Sequence, residues 1–210
     1  LAAGSALIAL LGFSQAAHAQ AFYLQEQSAR GAGRAFSGEA ADTGSASIWW
    51  NPAAIGGIES GDATLSASVI LPRGEVADRG TLIVRPGQPP APVGGNGVTR
   101  NPINNGVLPS GAIAVPLNDR IALGVSITSP YSFTTDYPAD SWARYSAART
   151  QLRTVDIQPS IGVAVTDSLR VGAGLTLEYT DASLGNALPN LAAVLPDGHK
   201  ELKGDGWDLG

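Results

Sequence analysis

The chain of 210 residues has no cysteine, no methionine and only two histidines, and just 15% of its residues are charged. Without cysteine there are no disulfide staples and no thiolate to act as nucleophile or zinc ligand. With His18 and His199 as the only imidazoles, a nucleophilic triad or a histidine metal site has almost no raw material. No catalytic residue, metal or cofactor is therefore expected, and the chain does not read as an enzyme. Thirteen basic against 18 acidic residues leave a net charge of -5, and without a basic stripe nucleic acid is not an expected partner. Gly31-Ala32-Gly33 lacks the third Gly and the preceding strand of a dinucleotide fingerprint. Long apolar runs are missing too: no segment reaches the 18 or so residues of a transmembrane helix, so a β-barrel is the one way this chain could span a membrane.

What is abundant is turn chemistry, with 26 Gly and 14 Pro, a balance that suits a β-protein better than a helical enzyme. The apolar run Leu1 to Leu11 followed by Ala17-His18-Ala19 resembles a secretory signal peptide over 1–19. Its initiator and basic region are missing, so the chain is expected to be a fragment at this end. Residues 20–59, Gly- and Ala-rich with Trp49-Trp50-Asn51-Pro52-Ala53-Ala54, read as a compact plug. From Asp62 onward, over 60–210, the apolar period is two.

Leu65, Ala67, Val69 and Leu71 alternate with small or polar residues, as do Ile113, Val115 and Leu117. Ile121, Leu123, Val125 and Ile127 follow, then Val155, Ile157, Pro159, Ile161, Val163 and Val165, then Leu169, Val171, Ala173, Leu175, Leu177 and Tyr179. The opposite faces carry Gly, Ala, Ser and Thr rather than the Lys and Glu of a soluble surface. Short links at Asn118-Asp119-Arg120 and Thr166-Asp167-Ser168 alternate with long ones at 72–105, 129–151 and 180–200, as in outer-membrane barrels with short periplasmic turns. A secreted soluble β-sandwich that binds a ligand also alternates and is the alternative. The fold expected is all-β: a truncated antiparallel transmembrane barrel of five strands and the start of a sixth near 203–210, too few to close.

The run Ala21-Phe22-Tyr23-Leu24-Gln25-Glu26-Gln27-Ser28-Ala29-Arg30-Gly31-Ala32-Gly33-Arg34-Ala35-Phe36-Ser37-Gly38-Glu39-Ala40 resembles the FadL-type outer-membrane transporters of long-chain fatty acids and hydrocarbons. Thr135-Asp136-Tyr137-Pro138, Trp142-Ala143-Arg144-Tyr145, Leu152-Arg153-Thr154, Asp156-Ile157-Gln158-Pro159-Ser160 and Gly172-Ala173-Gly174-Leu175 extend the likeness, which leaves 72–105 unmatched. The resemblance implies a fourteen-stranded barrel holding a small helical hatch closed by Asn51-Pro52-Ala53. It also implies a monomer that crosses the outer membrane of a Gram-negative bacterium many times and passively admits fatty acids or other hydrophobic molecules. Its partners would be that small molecule and outer-membrane lipid. A structural or adhesive barrel whose plug never opens is the rival.

Asn51-Pro52 also has a local reading, an Asn helix cap with Pro in the first position. Beside the hatch the family has an apolar ligand site, for which Phe22, Leu24 and Trp50 are the candidates. A helical stripe of Leu184, Leu188, Leu191, Val194 and Leu195 suggests an external collecting groove. Tyr131, Tyr137, Trp142 and Tyr145 suggest an interfacial aromatic girdle, and the nearby Arg144, Arg149 and Arg153 suit pairing with lipid phosphates as the other reading. Finally, outward residues must pair with outward ones, which selects three-residue turns and places Asp156 opposite Glu178 on the lumen face. Arg30 or Arg34 of the hatch would then bridge the two carboxylates as a latch.

Overall fold

The computed structural model describes residues 23–192 and 195–210; the expected signal peptide, Phe22 and Val194 lie outside them. After a short helix α1 (Ala29–Gly33) and 3-10 turns at Glu39–Ala41, Ser45–Ser47 and Pro52–Ile55 come twelve strands. They are β1 (Asp62–Ile70), β2 (Glu75–Ala77), β3 (Leu82–Ile83), β4 (Ala91–Pro92), β5 (Val98–Arg100), β6 (Gly106–Pro116), β7 (Ile121–Thr128), β8 (Ser132–Asp136), β9 (Arg149–Ala164), β10 (Arg170–Gly174), β11 (Leu177–Leu188) and β12 (Gly198–Leu209).

Eight of them form one antiparallel sheet in the order β1-β6-β7-β9-β11-β12, with β8 and β10 also paired to β9. β8 continues β7 along one edge of β9, and β10 leads into β11 along the other. The sheet is open, and its concave face wraps the N-terminal segment. The unmatched stretch 72–105 forms two small pairings, β2 with β5 and β3 with β4.

Strand faces and register follow the alternation. Asn118-Asp119-Arg120 is a three-residue turn, with Leu117 N donating to Ile121 O at 2.8 Å, and at the other turn Val165 N donates to Leu169 O at 2.9 Å. Val163 therefore faces Val171, and further up the ladder Asp156 faces Glu178. Leu65 is 89% exposed and Leu123 46%, while Ser110, Ser126, Thr128, Thr154, Asp156, Gln158 and Ser160 on the other face are buried. A water-soluble sandwich does the reverse. Apolar outside and polar inside is the arrangement of a wall that meets lipid.

The third long connection is a correction. β11 runs to Leu188, paired with β9 on one side and β12 on the other, so Leu184 and Leu188 lie on a strand and the link shrinks to 189–197. Among the described residues no helical stripe forms. Two ladders satisfy the backbone better than an isolated helix would, and Pro189 and Pro196 would have interrupted that helix.

Above the sheet the long connections are bound to one another through Arg144. Its guanidinium donates to Asp197 Oδ2 (3.2 Å), Val93 O (3.0 Å) and Gly94 O (3.2 Å), and its Nη2 lies 3.2 Å from Tyr145 Oη. Arg85 Nε adds a bond to Asn190 O at 2.9 Å. Arg144→Ala is expected to remove roughly 1.5–3 kcal/mol of local stability, the scale of hydrogen bonds to a charged group. Hydrogen exchange should then speed up at 85–94 and 189–197 and stay unchanged in β9; equal protection in both proteins would refute this.

The expected aromatic girdle also divides. Trp142 is half-buried in a 3-10 turn, Tyr145 Oη donates to Asp197 Oδ2 at 2.8 Å, and the Tyr131 ring packs edge-on against Tyr23 at 5.8 Å between centroids. Pro130 breaks the strand beside Tyr131 and turns that ring inward. On the outer face Tyr179 and Trp207 form a ring pair at 5.1 Å instead, the usual place of interfacial aromatics.

Candidate functional site

The N-terminal segment is seated on glycine. Asn51 caps the Pro52–Ile55 turn, its Oδ1 accepting from Ala53 N at 3.0 Å, and its Nδ2 donates to Ala40 O at 2.7 Å. That turn lies directly on the wall, where a Cβ on Gly162 would stand 2.6 Å from Gly56 N and 2.8 Å from Pro52 O. A Cβ on Gly172 would strike Ala53 N and Pro52 C, and one on Gly124 would meet Ile48 Cδ1 at 2.6 Å. Ile48, Ile55, Ala114 and Ala122 complete this apolar contact. The small lumen-face residues of the sequence are thus the seat of the Asn51-Pro52-Ala53 motif.

The rest of the contact is polar. Ser45 Oγ meets Thr64 Oγ1 at 2.9 Å, Ser68 Oγ donates to Glu26 O at 2.6 Å, and Ser110 Oγ donates to Gln27 O at 2.5 Å. Ser126 Oγ and Thr128 Oγ1 are buried without partners among the described residues and border a small cavity lined by Gln27, Ser45, Trp50 and Ser110. About 20 Å³ is room for one water. Trp50 belongs to this cavity rather than to a larger apolar one.

The second feature is an opening in the wall. β6 is paired to β1 from Gly106 upward in sequence, yet to β7 only from Gly111. Gly111 faces Ile127, and Ile103 faces Thr135 further up; between these pairs the two strands part. The cause is a bulge: three residues, Ser129-Pro130-Tyr131, separate Thr128 from Ser132, while on β9 only Thr154 and Val155 separate their partners. Pro130 has no N–H for the ladder. Thr154 Oγ1 accepts from Tyr131 N at 3.0 Å and lies 3.1 Å from Tyr131 O, so a side chain replaces the missing ladder bonds.

A cavity of about 590 Å³ fills the gap. Its lining includes Val107 and Val155 from the outer face together with Leu108, Thr154 and Leu24 from within, so it passes through the wall. Its inner end is closed by residues 23–28, which form no regular element. Gln27 Nε2 donates to Ser129 O (2.9 Å), Ser129 N donates to Gln27 Oε1 (3.0 Å), and Leu24 N donates to Pro130 O (2.8 Å). From Tyr131 an aromatic chain runs inward through Tyr23 to Trp49 at 5.5 Å and on to Trp50 at 4.8 Å.

Of the candidate ligand contacts, Leu24 lines this cavity, and Leu184, Leu188 and Leu191 do not. The latch is corrected. Arg34 Nη2 lies 2.6 Å from Glu39 Oε1 and 3.0 Å from Asp42 Oδ2, and Arg30 lies 3.2 Å from the same Asp42 oxygen. Carboxylates five and eight residues away capture the arginines at little chain-closure cost, so Asp156 and Glu178 face each other unbridged. Asp156 is 5% exposed and its Oδ1 has no partner among the described residues.

The Thr43 N–H and then the Arg34 guanidinium hold the Asp42 carboxyl below its ordinary range. A value lower in the folded state means that the cluster's contribution is complete above about pH 3.9, the unfolded value, and is lost as pH falls through the depressed one. Fluorescence of Trp49 and Trp50 should therefore be flat from pH 7 to about 4 and change below that. Asp42→Asn should remove this step. A transition centred near pH 6 would contradict the assignment.

An inside-out antiparallel sheet with the N-terminal segment packed on its polar face defines an outer-membrane β-barrel protein. Over residues 10–210 the sequence matches the model of the family described as outer membrane protein transport protein (OMPP1/FadL/TodX), and the chain belongs to that family. It is 28% identical over 181 residues to outer membrane protein P1 of Haemophilus influenzae, covering 84% of this chain and 39% of that protein. It is 26% identical over 226 residues to a long-chain fatty acid transport protein of Escherichia coli, covering 97% and 48%. The crystal structure of a Pseudomonas aeruginosa FadL homologue superposes with a TM-score of 0.71 at 22% identity, over 90% of this chain and 48% of that one. The chain spans about half or less of the length of the curated relatives it matches. Its place is the outer membrane of a Gram-negative bacterium.

Proposed function

We propose that the protein is a channel for passive uptake of long-chain fatty acids or other hydrophobic compounds, with residues 20–59 as a hatch and 60–210 as wall. The observation that carries this reading is the apolar cavity through the wall, closed from within by residues 23–28. A hydrophobic molecule in the lumen could leave sideways into lipid there, without crossing water. Its volume lies within the roughly 300–1,000 Å³ of ligand pockets. Membership of a family of transport proteins supports the same reading. So does the relative named for long-chain fatty acids.

The largely polar hatch contact favours a displaceable plug, because serine hydroxyls released from the wall can be rehydrated at little cost. The test is uptake of radiolabelled hexadecanoate and of toluene by a deletion strain carrying the full-length gene. Wild type should restore uptake of at least one compound, and Leu108→Trp, which fills the opening, should not do so at equal outer-membrane abundance. A Ser45→Cys/Thr64→Cys pair, placed in residues 1–210 that hold no other cysteine and with any cysteine elsewhere in the full-length protein replaced, should block uptake when oxidised and restore it on reduction. Equal uptake with and without the gene would leave a structural or adhesive barrel as the better reading.

A further inference from the structure

The lining of the wall opening is uncharged except at one point. Arg153 is the only ionisable cation among the described residues that border it, and no carboxylate borders it. Its basic neighbours in sequence are engaged, Arg144 with Asp197 at 3.2 Å and Arg149 with Asp136 at 3.5 Å. The Arg153 side chain has no hydrogen bond or ion pair with any described residue. By register it faces Ser132 on one side and Asp181 on the other. Asp181 Oδ1 instead accepts from Gln151 Nε2 at 3.1 Å. Asp156 and Glu178 occupy the opposite face of the sheet.

A guanidinium carries five N–H donors in a planar fork. Left uncommitted at the mouth of an apolar cavity in a membrane wall, such a group is costly unless anionic oxygens complete it. The fork matches two oxygens of a carboxylate or phosphate, and the cavity beside it, about 590 Å³ and lined in part by Leu24, Ile70, Ile103, Val107 and Leu108, offers apolar surface to a hydrocarbon tail. We propose that Arg153 is the headgroup site of this opening, holding the anionic oxygens of an amphiphile whose tail occupies the cavity. The inference rests on the lateral route above and adds selection of a charged head to it. Two sources share this chemistry: the carboxylate of a passenger, and the phosphate of an outer-membrane lipid seated at the rim.

The experiment uses the full-length protein in phosphatidylcholine nanodiscs, with circular dichroism and heat-modifiable gel mobility confirming that each variant is folded. Binding of hexadecanoate is compared with that of hexadecanol, which has the same tail and a neutral head. Retention of phosphatidylglycerol is compared with that of phosphatidylcholine by native mass spectrometry. If the head belongs to a passenger, Arg153→Gln weakens hexadecanoate by about tenfold or more and leaves hexadecanol unchanged, with Arg153→Lys between. If it belongs to a lipid, Arg153→Gln loses the retained phosphatidylglycerol and hexadecanoate is unaffected. Equal weakening of hexadecanoate and hexadecanol, or no change in any ligand, overturns the headgroup site while leaving the transport reading in place. Wild-type protein that binds neither sixteen-carbon probe but loses phosphatidylglycerol on Arg153→Gln defeats the passenger reading alone.

Discussion

Gly172→Val should unseat the N-terminal segment while leaving the wall intact. The added carbons would occupy the space held by the backbone of Pro52 and Ala53, and backbone, unlike a flexible side-chain end, cannot swing aside. Overpacking of this kind costs about 1–3 kcal/mol, which is roughly a 5- to 150-fold change in the seated fraction. Arg30 and Arg34 are exposed but held in the seated segment, so trypsin added from the periplasmic side should then cleave there faster by a similar factor. Gly162→Ala should act in the same direction through Gly56 and Pro52, whereas Gly206→Val, with nothing within 4 Å of its added Cβ, should not. Equal cleavage in wild type and Gly172→Val would show that the motif does not depend on this seat.

Leu123→Arg should impair insertion by roughly 2–4 kcal/mol, because the charge would sit near the middle of the lipid-facing band. Leu123 is flanked in register by Val115 and Ile161, and both are exposed on the same apolar face. Val165→Arg, next to the short turn, lies at the edge of that band, where the same charge costs about 0–1 kcal/mol. Urea titration of full-length protein folding into phosphatidylcholine vesicles reads both values. The face assignment fails if the two substitutions cost the same.

Faces and turns were legible because a strand has a side-chain period of two and a one-residue slip would turn every apolar residue of the wall inward. That constraint alone places Val163 against Val171 and Asp156 against Glu178. The leucine stripe misled because spacings of four and three fit a helix, while Leu184 and Leu188, four apart, also share one face of a strand. Pro189 was the signal against the helix. The latch failed for a different reason: the register argument identified two facing carboxylates but said nothing of Glu39 and Asp42, which are nearer to Arg30 and Arg34 along the chain.

By itself the sequence determined the strand pattern, the outward face, the two tight turns and the cap at Asn51, all of which depend on near neighbours and on local periodicity. Tertiary structure decided which contacts close between distant segments. Only folding brings Pro52 and Ala53 onto Gly162 and Gly172, sets Gln27 against Ser129, and opens β6 from β8 at the Pro130 bulge. A proline can be read in a sequence, but the gap beside it requires knowing which two strands would otherwise have exchanged their hydrogen bonds there.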